Sequence, residues 1–437
     1  MQFSGITFTG YDARKLDGFI MKSNHGNIAN EMIDIGQKEG FNVYFLERNP
    51  ESDTFEISTN KKQPAEERIG GWPQDLWSII GKKLLTFENS LQSDAILEKF
   101  NLTNDKTQQE IRQNKNIPQY YQMLNTIINM PRVDLPAGSG YLLADPQTGE
   151  LNILPENFVI SEYEKLSNTL KDTLQNTHIP GGNYYLAQNK SGKETALVGK
   201  NELDNFTPEQ IKQMLGTENV IFIPQMDYHI DMFMRPLDKG RILLTDDKLT
   251  QQMLAKGFEK IQKTVMQLQK ENKMKEALSI KTPFIQTGSY ALEIENIIKS
   301  NNFAQTDEVE KILQNTGYEV IRVPGRLYET RQSDLKNGVF LIQLFNFMNA
   351  NVLPNKNGEL VYITNKSNID EEVFRITPEI EKLTGFSVEK SFIESLKPYI
   401  KEENIYFVSG DNHTMSENLK KYQGGIHCMC TEVPAEN

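Results

Sequence analysis

Residues 221–237 read IFIPQMDYHIDMFMRPL. In an extended chain successive side chains point to opposite faces. Taken as a strand, this segment puts Gln225, Asp227, His229 and Asp231 on one face and Met226, Tyr228, Ile230, Met232 and Met234 on the other. The second face is apolar and suits a core, whereas the first is a titratable stripe. An outward face usually shows Lys, Thr and Glu, not two Asp around a His. The stripe is therefore either a satisfied structural histidine with its neighbours or the wall of a functional site.

The flanking sequence makes this an α/β chain. TPEQIKQML (207–215) is a short helix with Thr207 as N-cap and Pro208 in its first turn. Before it, NYYLAQNKSGKETALVG (183–199) reads as two strands around an NKSGK turn. Near the start, EMIDIGQKEGFNVYFLER (31–48) gives a helix, a Gly break and an apolar strand. GSGYLLADPQTGELNILPENFVI (138–160) looks like two strands joined by a DPQTGE turn. Later strands (YEVIRVPG, GVFLIQLFNF, LVYIT, NIYFVS) alternate with the helical pieces TDEVEKILQNT and SFIESLKPYI.

Two stretches read as helical throughout. Residues 80–135 and 247–300 carry apolar residues at three- and four-residue spacing, the second as the Lys/Gln/Glu-rich run DKLTQQMLAKGFEKIQKTVMQLQKENKMKEAL. No internal repeat, low-complexity tract or Pro/Gly/Ser linker divides the chain. The expectation is a single α/β domain over 1–437 with helical insertions at 80–135 and 247–300. Such helices are solvated packing faces or a surface for a protein partner.

With 47 Lys+Arg against 59 Asp+Glu, a net charge of −12, the chain lacks the basic footprint of a nucleic-acid binder. No apolar run approaches the ~20 residues of a membrane span. The opening MQFSGITFTGYDARKLDGF has no signal-peptide pattern, so the expected location is the cytoplasm or export without a Sec signal. Cys428 and Cys430 are the only cysteines. They build no disulfide framework.

Those thiols lie in YQGGIHCMCTEVP (422–434), after the Gly424–Gly425 pair. Three readings compete. A metal site of His427, Cys428 and Cys430 has a spacing unlike common zinc patterns. A Cys428–Cys430 disulfide between near neighbours meets poor geometry. A nucleophilic thiol served by a distant histidine fits best. Two further Gly pairs precede polar residues. In GGWPQDLW (70–77) Pro73 disfavours helix at Trp72 and leaves Asp75 on a turn, and in HIPGGNYYL (178–186) Asn183 opens a strand. Alone, each is an ordinary turn.

In order, W-P-Q-D, G-G-N, H-I-D and G-G-I-H-C, these pieces resemble the guanidino-group-modifying enzymes, or penteins. That family includes agmatine deiminases, arginine and protein-arginine deiminases, and amidinotransferases. The resemblance implies an α/β propeller of five ββαβ-type units about a pseudo-fivefold axis. It implies Cys428 as nucleophile, His229 as general acid/base, and Asp75 and Asp231 as carboxylates gripping a guanidinium. Trp72, Asn183 and Arg235 follow as further substrate contacts. Arg235 either meets a substrate carboxylate or pairs with an acidic neighbour. No metal or organic cofactor is implied. The substrate would be agmatine, a free arginine derivative or a peptidyl arginine. The implied reaction is hydrolysis to a ureido product, with amidino transfer to an amine as the alternative, or a silent pentein used as a binding module. Pro180 stands where small-substrate deiminases carry Glu before the Gly pair, which favours a peptidyl substrate.

Overall fold

The computed structural model describes residues 16–435 apart from 53, 65–71, 89, 136–137, 145–150, 239, 280–303, 333–338, 368–377, 411–414 and 416–423. Gly70, Gly71, the DPQTGE turn and the end of the 247–300 stretch lie outside the described residues. The chain is mixed α/β, built from many small sheets and helices.

Among the described residues five sheets repeat one topology. Each has a first strand, an antiparallel second strand, a helical crossover, and a third strand parallel to the second. The first unit is Trp77–Ile80, Lys83–Thr86, helix Leu91–Lys99 and Thr103–Asn104. The second is Tyr184–Gln188, Glu194–Gly199, helix Pro208–Leu215 and Val220–Ile223. The third pairs Met234–Pro236 with Arg241–Thr245 and then, beyond the helices Asp247–Lys270 and Ala304–Asn315, with Glu319–Val323. The fourth is Asn351–Pro354, Leu360–Asn365, helix Val388–Leu396 and Ile405–Val408. The fifth joins the two ends of the sequence. Thr431–Pro434 runs antiparallel to Leu16–Met21, which pairs through helix Gly26–Glu39 with Asn42–Asn49.

Local sequence explains these elements. Thr207 and Gln210 close a reciprocal capping box at the start of Pro208–Leu215, and Gly216 ends that helix in the left-handed conformation (φ 69°). In Asp247–Lys270 the side chains of Met253, Leu254, Phe258, Ile261, Val265 and Leu268 are buried at helical spacing. Gly257 lies in the same stripe because the Phe386 ring occupies the place of a Cβ there. No helix among the described residues is long and apolar enough to cross a membrane.

Two expectations need correction. The strand over 221–231 stops at Ile223, and Ile230–Met232 is a turn of 3₁₀ helix. Pro224 follows the strand, Gln225 Nε2 donates to the Tyr228 carbonyl (2.8 Å), and the Asp227 carboxylate accepts from the Tyr228 N–H (2.7 Å). These local side-chain to backbone bonds hold a loop in place of a ladder. The 80–135 stretch is not helical throughout either, for it opens on a β-hairpin whose turn is Gly81 (φ 61°) and Lys82. Its later part is helical at Leu91–Lys99, Lys106–Asn114 and Ile117–Ile128.

Candidate active site

The segments entering the five first strands meet in one place. Each brings a polar residue or a glycine two or three positions before its strand: Asp75, Gly182, Asp231, Asn349 and Cys428. The Gln74 N–H donates to the Cys428 carbonyl (3.3 Å), tying the first unit to the fifth. Gly182 ties the second to the third, since a Cβ there would lie 2.7 Å from His229 Nδ1 and 3.0 Å from Asp231 Oδ2. Only a glycine admits that approach.

Asp231 is the hub. It is fully buried, and its Oδ2 accepts from His427 Nδ1 (2.7 Å) and Asn349 Nδ2 (2.8 Å), with Cys428 Sγ at 3.8 Å. The same Asn349 amide nitrogen donates to Cys428 Sγ (3.2 Å), and Asn349 Oδ1 accepts from the His427 N–H (3.0 Å). Neutral amides fix the surrounding loops. Asn365 Nδ2 donates to the carbonyls of Asn346 and Asn349, and its Oδ1 accepts from the Ile426 N–H (2.7 Å). Asn346 Nδ2 reaches the Met232 carbonyl (3.1 Å).

Two buried carboxylate oxygens, Asp75 Oδ1 and Asp231 Oδ1, have no hydrogen-bond partner among the described residues. Burial pushes the Asp75 carboxyl up to about 7. Burial and then the Asp75 charge raise Asp231 well above the usual carboxylate range, against the pull of Arg235. The Cys428 thiol is likewise raised by burial, Asp231 and Asp75, with the Asn349 bond acting in the opposite sense. His229 is buried and pushed down to about 3, so its imidazole is neutral at neutral pH. Tyr228 stacks on it with ring centroids 4.1 Å apart while remaining 73% exposed. The site is thus a buried, negatively polarised cluster with an aromatic ring on its solvent side. A bound cation would favour both carboxylates and the thiolate together.

The structure therefore gathers Asp75, His229, Asp231 and Cys428, with His229 and Asp231 arriving on a loop and a 3₁₀ turn in place of the strand expected for them. Other candidates face elsewhere. Asn183 Nδ2 donates to the Glu202 carboxylate (2.6 Å) and its Oδ1 accepts from the Ile230 N–H (3.3 Å), which braces the 3₁₀ turn. Arg235 is fully buried and resolves its two alternatives inward: it lies 3.5 Å from Glu432, donates to His427 Nε2 (2.8 Å) and packs on the Tyr185 ring. Trp72 packs over Gly424. Asp227 pairs with Arg326 (2.6 Å). Both cysteines are free thiols, and the ring nitrogens of His427 face Arg235 and Asp231.

Sequence reasoning missed Asn349 and gave His427 no part beyond the metal alternative. A signal for Asn349 existed: FNFMNANV (345–352) sets three asparagines in an apolar run. All three are buried.

Among solved structures the chain is similar to agmatine deiminases. One is C. jejuni agmatine deiminase, at 13% identity over 68% of this chain and 70% of that one, TM-score 0.31. Another is the C. jejuni enzyme with a cysteine-to-serine substitution and substrate bound, at 12% identity over 100% and 98%, TM-score 0.42. No family model matches the chain, and no curated protein matches it in sequence.

Proposed function

We propose that this chain is a cysteine-dependent hydrolase of a guanidino group, converting an arginine-type guanidinium to a ureido product and ammonia. The observation that carries the reading is the pair of buried, unpartnered oxygens, Asp75 Oδ1 and Asp231 Oδ1, in a cluster that also holds Cys428. Leaving a buried polar group unpaired costs about 1–3 kcal/mol. A planar cation with several N–H donors satisfies both oxygens at once, and carboxylates accept such a fork bidentately.

On this reading the guanidinium lies between Asp75 and Asp231. Its charge lowers the thiol pKa, and the Cys428 proton passes to the neutral His229. Sγ then attacks the guanidino carbon. The departing nitrogen takes the proton from His229 and leaves as ammonia, giving an amidino-thioether on Cys428. His229 next draws a proton from water, whose oxygen adds to the same carbon; the C–S bond then breaks, the sulfur takes the proton back from His229, and the hydroxyl proton of the former tetrahedral carbon passes to solvent as the ureido product leaves. Asn349 supports the sulfur whenever it carries charge. No step needs a metal or an organic cofactor.

The five repeated units are proposed to close as a pentein-type propeller about a pseudo-fivefold axis, with this site in the central channel and 1–437 forming one catalytic domain. Support comes from the common topology and from the meeting of the five entering segments. Of the two stretches expected as insertions, 80–135 and 247–300, the helices Leu91–Lys99 and Asp247–Lys270 serve as crossovers of the first and third units. Lys106–Asn114 and Ile117–Ile128 fall outside the repeated units and are proposed as an insertion available to a protein partner. Agmatine, free arginine and an arginyl peptide are the substrates to test. Wild-type protein is expected to form a ureido product from at least one of them and Cys428→Ala from none. Absence of product from the wild type on all three would overturn the proposal.

A further inference from the structure

His427 lies between a permanent cation and the hub carboxylate. Arg235 Nη1 is 2.8 Å from Nε2, and Asp231 Oδ2 is 2.7 Å from Nδ1. The Gln74 amide nitrogen, 2.8 Å and 3.0 Å from the two ring nitrogens, lies over the ring face, because no in-plane position approaches both that closely, and so takes up neither lone pair in line. A guanidinium only donates, so Nε2 must accept, and the neutral ring carries its single proton on Nδ1, which it gives to Asp231. Arg235 is itself held by Glu432 and the Tyr185 ring.

The arrangement separates charge from contact. Were Arg235 to touch Asp231 directly, its fork would fill the carboxylate and compete with a guanidinium from outside. With a neutral imidazole in between, the positive charge still favours the ionised carboxylate, while only Oδ2 is occupied, by His427 and Asn349. Oδ1 stays open.

We infer that His427 is a positioning residue: locked as its Nδ1–H tautomer by Arg235, it orients Asp231 and lends it the arginine's charge without closing the oxygen that receives the guanidinium. Burial, and then Arg235 and His229, hold the imidazole well below its usual range, which favours the neutral ring. The inference rests on the proposed hydrolase reading for its kinetic consequence, although the tautomer itself does not.

Two measurements test it. In the wild type, two-bond ¹H–¹⁵N correlation spectra of the five histidines should show one ring, absent from the His427→Asn spectrum, that carries its proton on Nδ1 and does not titrate between about pH 5 and 9. A titrating His427, or one protonated on Nε2, overturns the inference whether or not the protein turns anything over. Kinetically, His427→Ala should raise KM by about 10- to 100-fold while kcat per titrated active site changes only a few fold, because the grip on the cation acts before chemistry. His427→Asn puts an amide N–H where Nδ1–H was and should recover most of that loss. If His427→Ala merely lowers the fraction of titratable sites at unchanged KM, or if Asn rescues no better than Ala, the role is structural only. Lack of turnover by the wild type would instead defeat the hydrolase reading, with the spectra still deciding the tautomer.

Discussion

Replacing Asn349 by alanine tests how the site manages a buried sulfur anion. Its amide nitrogen donates to both Cys428 Sγ (3.2 Å) and Asp231 Oδ2 (2.8 Å), and its oxygen receives the His427 N–H (3.0 Å). A hydrogen bond to a charged group is worth about 1.5–3 kcal/mol, against much less for one to a neutral thiol. Losing the bond to sulfur should therefore raise the thiol pKa by about 1–2 units at 1.36 kcal/mol per unit. The same difference lowers kcat/KM by about 10- to 150-fold. The orphaned His427 N–H adds a separate destabilisation of about 1–3 kcal/mol, which thermal unfolding will register. The pH dependence of alkylation by iodoacetamide, followed on the Cys428 peptide, reports the thiol pKa, and a ureido-product assay reports turnover. An Asn349→Ala protein with the wild-type alkylation profile and kcat/KM within about threefold of wild type would refute the reasoning.

Three other outcomes follow from the same geometry. Because the empty site holds the Asp75 carboxyl at about 7, below that pH it is protonated and cannot accept the cation. Hence kcat/KM should climb as pH rises through about 7, and Asp75→Asn should lose both the activity and that rise; a flat wild-type profile contradicts this. Gly182→Ala would place a methyl 2.7 Å from His229 Nδ1 and 3.0 Å from Asp231 Oδ2. An activity loss of about 100-fold per folded molecule is expected, and normal kinetics would show that His229 and Asp231 need no fixed placement. Gly257→Ala drives a methyl into the Phe386 ring in a stripe remote from the site. It should lower the unfolding free energy by about 1–3 kcal/mol in chemical denaturation without changing activity per folded molecule, and a stabilised variant would mean that Phe386 yields freely.

Much of this was legible in residue order. Thr207, Pro208 and Gln210 spell a capped helix that packing does not override, and the Asp247–Lys270 helix announces itself by apolar spacing. Asp75, the neighbouring His229 and Asp231, and Cys428 were legible as companions, although the three segments stand far apart in the chain. Their backbone setting was not. The alternation over 221–231 is one of residue type alone: Gln225, Met226 and Asp227 are half-buried, Tyr228 is exposed, and His229, Ile230 and Asp231 are all buried in a loop that Gln225 and Asp227 hold through backbone bonds. The fivefold repeat left no mark in the sequence because topology constrains where strands start, not which apolar residues fill them. The same position before a first strand holds Asp75 in one unit, Gly182 in another and Asn349 in a third. Arg235 looked like a substrate ligand because local sequence cannot reveal Glu432 and His427, both about two hundred residues away.

The central claim is that Cys428 attacks a guanidino carbon and expels ammonia. Rapid acid quench of the wild type with substrate, followed by intact mass and peptide mapping, tests it most directly. The account predicts an adduct on the Cys428 peptide equal in mass to the substrate less ammonia, absent from Cys428→Ala. An adduct bearing only the bare amidino group would show that the amine chain leaves instead, and an unmodified Cys428 during demonstrated turnover would contradict covalent catalysis altogether.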